Sequence, residues 1–500
     1  MAMKRLCGIL LLVALSYAAG LSAEEGGSGA VVQPAGGPSP VDFGLGGVFG
    51  AVQINGKNYQ QIGLRPELKL WKLGIGLDVT VLLDDDGKVR EEDWNDWQDY
   101  LDKMYYIRWG QKGDPFYFRY GGLEWTTLGF GTLIYGYTNM LEYPTYKRQG
   151  LDFGINLEHA GMELVINDFK ELSRDRRGFM GGGRVFVKPF SRLQFGAAIA
   201  GDLNEYNGLR DTDGDGYPDE VDKYPEDDDY ATDIDYYQGH GIDGTATSGT
   251  IGTLVAAGLL SPVEKADLQS IKEIRSRTWF WSADAGLKVA DFEFLKVDIY
   301  AQFAQNMQTD GWGYAAPGIS VKISSFVELY ADYRQQSDEF IFNYYNDTYD
   351  LERAKYVDDG TGKLDIITKR LKLLAAVESK GYMAGMKLNL FNIVTGRAEY
   401  QDMQWGDLND KSLRGELSLN KDLIPMITKA KAYYVQNNVE KLRWRTESTV
   451  MSAVLGVGLA QGVSVDFKYL ITFEDKNGDG EIEGDEETIT NVSVSTSALF

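Results

Sequence analysis

Apolar and polar positions alternate with a period of two along most of this chain. In 71–83, Leu73, Ile75, Leu77, Val79, Val81 and Leu83 share one face, and Gly74, Gly76, Asp78, Thr80 and Leu82 share the other. Tyr105, Ile107 and Trp109 alternate with Tyr106, Arg108 and Gly110, and Phe116, Phe118 and Tyr120 with Tyr117, Arg119 and Gly121. Leu151, Phe153, Ile155 and Leu157 stand against Asp152, Gly154 and Asn156. The stretches 292–305, 319–333, 382–390 and 429–436 read the same way. Near the end, Val463, Val465, Phe467, Tyr469, Ile471 and Phe473 oppose Ser464, Asp466, Lys468, Leu470, Thr472 and Glu474. The last segment sets Val492, Val494, Thr496, Ala498 and Phe500 against Ser493, Ser495 and Ser497. Successive side chains of a strand point to opposite faces, so this pattern predicts β-strands with one apolar and one small or polar face.

Length separates two architectures. Several runs are 9–13 residues long, whereas strands of soluble proteins average about 5–6 and tilted membrane-crossing strands need about 9–11. A secreted soluble β protein would also alternate. Many long strands joined by tight turns, such as Lys112-Gly113-Asp114-Pro115, favour a closed ring, the one strand architecture that pairs every backbone group in hydrocarbon. Aromatic residues near strand ends, such as Trp71, Trp109 and Trp125, fit interfacial girdles or ordinary cores.

Three insertions interrupt the alternation. Residues 84–103 are charged, with Trp94, Trp97 and Leu101 at helical spacing. Residues 203–276 begin acidic and later carry Ser261-Pro262-Val263-Glu264, a capping box that predicts a helix near 262–275. Residues 336–370 are rich in Asp, Asn and Tyr. At about 20 residues per strand and turn, the remainder gives a barrel of about 16 strands (14–18). Segment 123–140 fits either a strand or a stretch folded into the lumen. The fold expected is all-β: a transmembrane antiparallel up-and-down barrel with partly helical loop insertions.

Composition narrows the functions. The chain has 500 residues and a formal charge of -24, which argues against nucleic acid as a partner. A single cysteine, Cys7, and two histidines exclude disulfide frameworks and Cys- or His-rich metal centres. Lys4 and Arg5 precede an apolar run to Ala19, and small residues lead to Ala23, which reads as a signal peptide over 1–23. Residues 24–40, rich in Gly, Pro and Ser, form a flexible lead into a barrel spanning 41–500. No GxSxG motif accompanies a histidine. His159 and His240 sit in turn and loop contexts, so no enzyme is expected.

The terminal Phe500, with apolar residues at alternate positions before it, resembles the assembly signal of Gram-negative outer-membrane β-barrel proteins. Leu499 on the small face, and Ala498 where a Tyr is common, depart from that pattern. The resemblance implies an outer-membrane location, contact with outer-membrane lipid, and recognition of the last strand by the barrel-assembly machinery. It implies periplasmic chain ends and an extracellular loop before the last strand. It leaves the oligomeric state open.

Two acidic loops carry metal-site spacing. In 475–486, Asp475, Asn477 and Asp479, the Glu481 carbonyl, Glu483 and Glu486 fit the positions of an EF-hand-like loop, with Gly480 at the sharp turn. In 211–222, Asp211, Asp213, Asp215, Asp219 and Asp222 resemble a thrombospondin type 3 calcium repeat, in which the Tyr217 carbonyl would be a further ligand. Calcium takes six to eight oxygens, so closely spaced carboxylates suit it. Arg108, Arg119, Asp152, Asp466, Lys468 and Glu474, all on polar faces, are expected to line the lumen. The leading expectation is a porin-like channel for small solutes with calcium-stabilised loops. The alternative is a structural or adhesive barrel with a plugged lumen.

Overall fold

The computed structural model describes residues 41–500 except 55–56, 91–92, 95–96, 144–145, 173–177, 212, 214, 226, 240–267, 269–274, 359–363, 392, 421–426, 461–462, 476–480, 483, 485 and 500. The signal peptide, the lead and Phe500 therefore lie outside the described residues, as does the helix expected near 262–275 apart from Leu268.

Twenty-one strands form one antiparallel sheet that closes on itself. The strand Val41–Ile54 pairs along its whole length with Lys57–Leu70. Its other edge joins Thr488–Leu499 over Gly46–Ala51. Leu73–Leu77 and Val79–Leu83 both pair with Lys57–Leu70 and follow one line interrupted at Asp78, so twenty staves make the ring. Closure joins the first stave to the last over Gly46–Ala51 and so completes the ring that hydrocarbon demands.

The ring is larger than the expected 16 strands (14–18), for two physical reasons. The run 319–333 holds two staves, Trp312–Ile323 and Val327–Gln336, joined by a turn without Gly or Pro. Ser324 supplies the left-handed conformation there (φ 50°), as Phe391 does (φ 55°) in another turn at the same end. The staves Met104–Trp109, Phe116–Gly121, Gly150–Asn156 and Ala160–Ile166 are only six or seven residues long. Segment 123–140 is not a stave; it lies inside the ring.

Because neighbouring staves run in opposite directions, the connections sort to two ends. One end carries 84–103, 122–149, 203–277, 337–378 and 474–487. The other carries turns such as 71–72, 191–192 and 324–326, together with the start of Val41–Ile54 and the finish of Thr488–Leu499. In outer-membrane barrels the long loops are extracellular and the short turns periplasmic. Both acidic loops are on the long-loop end.

The outside of the ring is apolar and the inside charged. Val185 and Val187 are 62% and 52% exposed, while Arg184 beside them is 4% exposed. Leu329 and Tyr333 face out, whereas Asp332, Arg334 and Gln336 of the same stave are buried. Exposed Trp71, Phe190, Phe292, Phe294, Phe326 and Phe391 crowd the turn end. Exposed Trp281, Tyr333, Tyr382 and Trp405 lie toward the loop end. Two aromatic belts at opposite ends of an aliphatic band match the two interfaces of a bilayer. No helix among the described residues is long and apolar enough to cross a membrane.

Candidate functional site

Register builds the lumen wall. Arg108 stands opposite Arg119, and Arg119 opposite Asp152, on three successive staves. The Asp152 carboxylate accepts hydrogen bonds from Lys112 Nζ (3.1 Å) and the Thr126 hydroxyl (3.1 Å). Asp466 pairs with Lys429 at 2.6 Å. Lys468 donates to the carbonyls of Leu141 (3.3 Å) and Tyr143, so it holds an inner segment in place. Glu474 is not a wall residue. The stave ends at Phe473, and the Glu474 N–H donates to the Glu487 carbonyl (3.0 Å), closing the base of the loop.

Two loop-end connections, 122–149 and 337–376, fold into the ring and pack on each other. The Tyr345 N–H donates to the Leu133 carbonyl (3.1 Å), the Tyr135 N–H to the Tyr345 carbonyl (3.1 Å) and the Asn343 N–H to the Thr132 carbonyl (2.9 Å). Leu123, Ile134, Tyr137, Phe340, Tyr344, Tyr345 and Tyr349 form their shared apolar core with wall residues Phe280, Ala304 and Ala315. Side chains then tether this body around the ring. Glu163 accepts from the Gly129 N–H (2.9 Å), Gln302 from the Thr132 N–H (3.1 Å) and Glu399 from the Tyr135 hydroxyl (2.6 Å). Arg414 reaches Glu399 (2.7 Å) and Asp347 (2.6 Å), and the Tyr433 hydroxyl donates to Asp347 (2.6 Å). On the turn side of segment 122–149, a cavity of about 190 Å³ is lined by Lys112, Tyr117, Asp152, Glu163 and Arg184 among others.

Arg353, at the end of the short helix Tyr349–Glu352, anchors the second segment. Its guanidinium is 1% exposed and forks onto Glu171 (2.7 and 2.9 Å) and Asp202 (2.6 and 3.0 Å). The Tyr349 hydroxyl also donates to Asp202 (2.7 Å). Nearby, burial opposes ionisation of Glu352, but the ammonium groups of Lys369 (3.3 Å) and Lys372 (3.6 Å) win and hold its carboxyl down at about 2. None of these residues is legible from alternation, because they sit in loops and at a strand end, and their partners lie far away in sequence. The only available signal is the richness of 336–370 in Asp, Asn and Tyr.

The loop 211–222 brings three of its carboxylates together. Oxygens of Asp211, Asp213 and Asp215 all lie within 4.8 Å of one another. The Asp215 N–H donates to Asp213 Oδ1 (3.2 Å) and the Tyr217 N–H to Asp215 Oδ1 (2.7 Å). The Asp219 N–H donates to the Arg210 carbonyl (2.9 Å), and Asp222 Oδ1 accepts from the Tyr224 N–H (2.7 Å). Gly216, at φ 97°, permits the reversal that folds the loop. Tyr217 is buried with Ala231, Leu268 and Val221, a small apolar base for the loop.

Asp213 Oδ2 and Asp222 Oδ2 are buried and meet no hydrogen-bond donor among the described residues. Burial and the neighbouring carboxylates push both groups up to about 7. Orphaned, closely gathered hard oxygens fit a divalent metal ion. In the second loop, Asn477, Asp479 and Glu483 lie outside the described residues. Of its described members, Glu481 pairs with Arg443 (3.1 Å), and Asp475 and Glu486 lie in the same loop. His159 is exposed in a turn beside Glu158, and His240 lies outside the described residues.

A closed ring with an aliphatic exterior, aromatic belts and a charged interior has the architecture of a membrane-spanning β-barrel. No family model and no curated protein matches the chain. Among solved structures it is similar to OccK11 (OpdR) of Pseudomonas aeruginosa, at 8% identity over 92% of this chain and 94% of that one, with a TM-score of 0.31. It is similar to Wzi of Escherichia coli, a carbohydrate-binding β-barrel involved in group 1 capsule assembly, at 10% identity over 92% and 84% with a TM-score of 0.32. It is also similar to the ferric enterobactin receptor PfeA of Pseudomonas aeruginosa, at 9% identity over 93% and 82% with a TM-score of 0.36.

Proposed function

We propose that this barrel is a porin-like channel for passive diffusion of small hydrophilic solutes, narrowed by the two inner segments, with calcium ordering its extracellular mouth loops. The observation that carries the reading is ring size combined with a charged wall. Rings of 16–18 strands already leave an aqueous lumen, and twenty staves enclose more space than wall side chains can fill. Segments 122–149 and 337–376 reduce that space to a polar passage. The last strand would meet the barrel-assembly machinery, and the aliphatic band outer-membrane lipid. Calcium suits the 211–222 loop because Asp213 and Asp222 each present a carboxylate oxygen to the cluster without a protein donor. The 475–486 loop would take a second ion through Asp475, Asn477, Asp479, the Glu481 carbonyl, Glu483 and Glu486.

The dense tethering of the inner segments favours a second reading, a plugged structural or adhesive barrel. Single-channel recording in planar bilayers separates the two. The native protein should give stepwise openings, and replacing 124–138 with a short Gly-Ser linker should raise the conductance several-fold. A silent native barrel beside a conducting linker variant would establish the plug. Silence from both folded proteins would end the channel reading.

A further inference from the structure

Wall residues on the turn side of the inner segments form a row whose charges do not balance. Reading across successive staves, Lys296 stands directly opposite Lys322, Lys322 opposite Glu328, Glu328 opposite Lys387, Lys387 opposite Arg397, and Arg397 opposite Glu416. All six share the parity of lumen-facing neighbours such as Gln302, Tyr330, Met383, Glu399 and Arg414, which are buried inside the ring. Outward neighbours confirm the phase: Ile323, Leu329, Met386 and Leu417 are exposed to the lipid side.

Like charges directly opposite on paired strands destabilise a sheet, and this row contains two such pairs, Lys296/Lys322 and Lys387/Arg397. The carboxylates within reach are already engaged: Asp291 pairs with Lys296 at 3.7 Å. Glu328 serves both Lys322 (3.6 Å) and Lys387 (3.3 Å). Glu416 is taken by Lys431 at 2.7 Å. Arg397 lies flat on Trp125 of the inner segment, 3.2 Å from the ring centroid. Its Nε and Nη1 find no acceptor among the described residues. A guanidinium held against an aromatic face with buried, unmatched N–H groups keeps donors in reserve for an oxyanion. Lys296 and Lys322 are about half exposed, so that end of the row is open to lumen water.

We propose that this row is an anion-binding stripe that makes the passage prefer solutes carrying a carboxylate or phosphate group, with Arg397 as its central contact. The proposal rests on the channel reading for its role in transport, while the site itself stands on register and unmatched donors. It also separates two populations of charge. The chain is strongly acidic as a whole, but its negative charge is concentrated in loop segments such as 211–235, while this part of the wall carries a surplus of Lys and Arg.

Reversal potentials under a KCl gradient test it. Native channels should favour chloride over potassium by roughly threefold to tenfold, as a cationic stripe concentrates counter-ions in a confined lumen. In the double variant Lys387→Gln, Arg397→Gln the preference should fall to near unity with conductance retained, and Arg397→Lys should keep it. Heat-modifiable gel mobility confirms that each variant has folded. In parallel, inorganic phosphate should raise the Tm of the native protein in detergent and not that of Arg397→Gln. Conductance with no anion preference, or a preference that the double variant keeps, overturns the proposal and leaves the channel reading intact. If the folded native protein is silent, the channel reading fails, and the phosphate arm alone decides the site: a Tm rise lost in Arg397→Gln upholds it, and no rise overturns it.

Discussion

The cluster around Arg353 and the loop around Asp213 handle the same problem in opposite ways. Each draws carboxylates together away from water. Around Arg353, the chain supplies its own cation: one guanidinium forks onto Glu171 and Asp202, and Lys369 with Lys372 hold Glu352 ionised. Around Asp213, Asp211 and Asp215 crowd in, and two buried oxygens lack donors among the described residues. Glu352, beside its two lysines, moves down to about 2, whereas burial moves Glu171 up despite Arg353, and Asp213 and Asp222 go up to about 7. A charge cluster with built-in counter-ions is a permanent brace. One with buried oxygens that meet no donor among the described residues has room for an ion from the medium.

The sharpest way to break the comparison is Arg353→Met. It leaves Glu171 and Asp202 buried without their cation, and breaking a buried pair this way costs about 3–5 kcal/mol. Urea unfolding of the refolded barrel should show that loss, together with freer proteolysis of 337–378. A loss below about 1 kcal/mol would mean that the brace is not one.

Calcium removal comes next. At calcium a hundredfold above Kd, binding to the folded loop alone stabilises by about 2.7 kcal/mol. Chelation should therefore expose 211–229 to protease, and in Asp213→Asn, Asp222→Asn calcium should no longer protect it. Cleavage that ignores calcium in the native protein would remove the ion from the loop.

The smallest effect is on pH. A carboxyl raised in the folded state binds a proton on folding, so the metal-free loop is most stable at low pH and loses stability as pH rises from about 4 to about 7. Glu352 has the reverse sign: its contribution is complete above the ordinary carboxylate range and is lost as pH falls toward about 2. Protease protection of the two segments, followed in chelator across pH 4–7, should fall for 211–229 and stay level for 337–378. Parallel profiles would collapse the distinction.

What could be read from residue order follows the solvent each segment meets. Lipid outside and water inside force alternation on every stave, so Val463–Phe473 and the faces of 71–83 are plain in the sequence. The stave count is not, because Ser324 and Phe391 turn the chain without the usual Gly or Pro mark. The acidic loop is legible because the carboxylates it gathers, Asp211, Asp213 and Asp215, are neighbours in sequence. The inner body is illegible for the converse reason: Arg353 and Asp202, or Tyr135 and Glu399, are partners more than a hundred positions apart. Parity places Arg108, Arg119, Asp152, Asp466 and Lys468 on the inward face but does not reveal what each one grips. It carries Glu474 one step beyond the end of its stave.

The joint between the first and last staves has a consequence for how the molecule is made and how it could open. Val41–Ile54 is zipped along its whole length to Lys57–Leu70, yet only Gly46–Ala51 bonds to Thr488–Leu499. Until that final ribbon arrives, nineteen staves stand as an open sheet with two raw borders, so closure is a last act that depends on residues more than four hundred positions apart. Once it is sealed, this partial overlap leaves much of the first stave's outer border without a partner among the described residues, and a sideways parting of the wall would begin there.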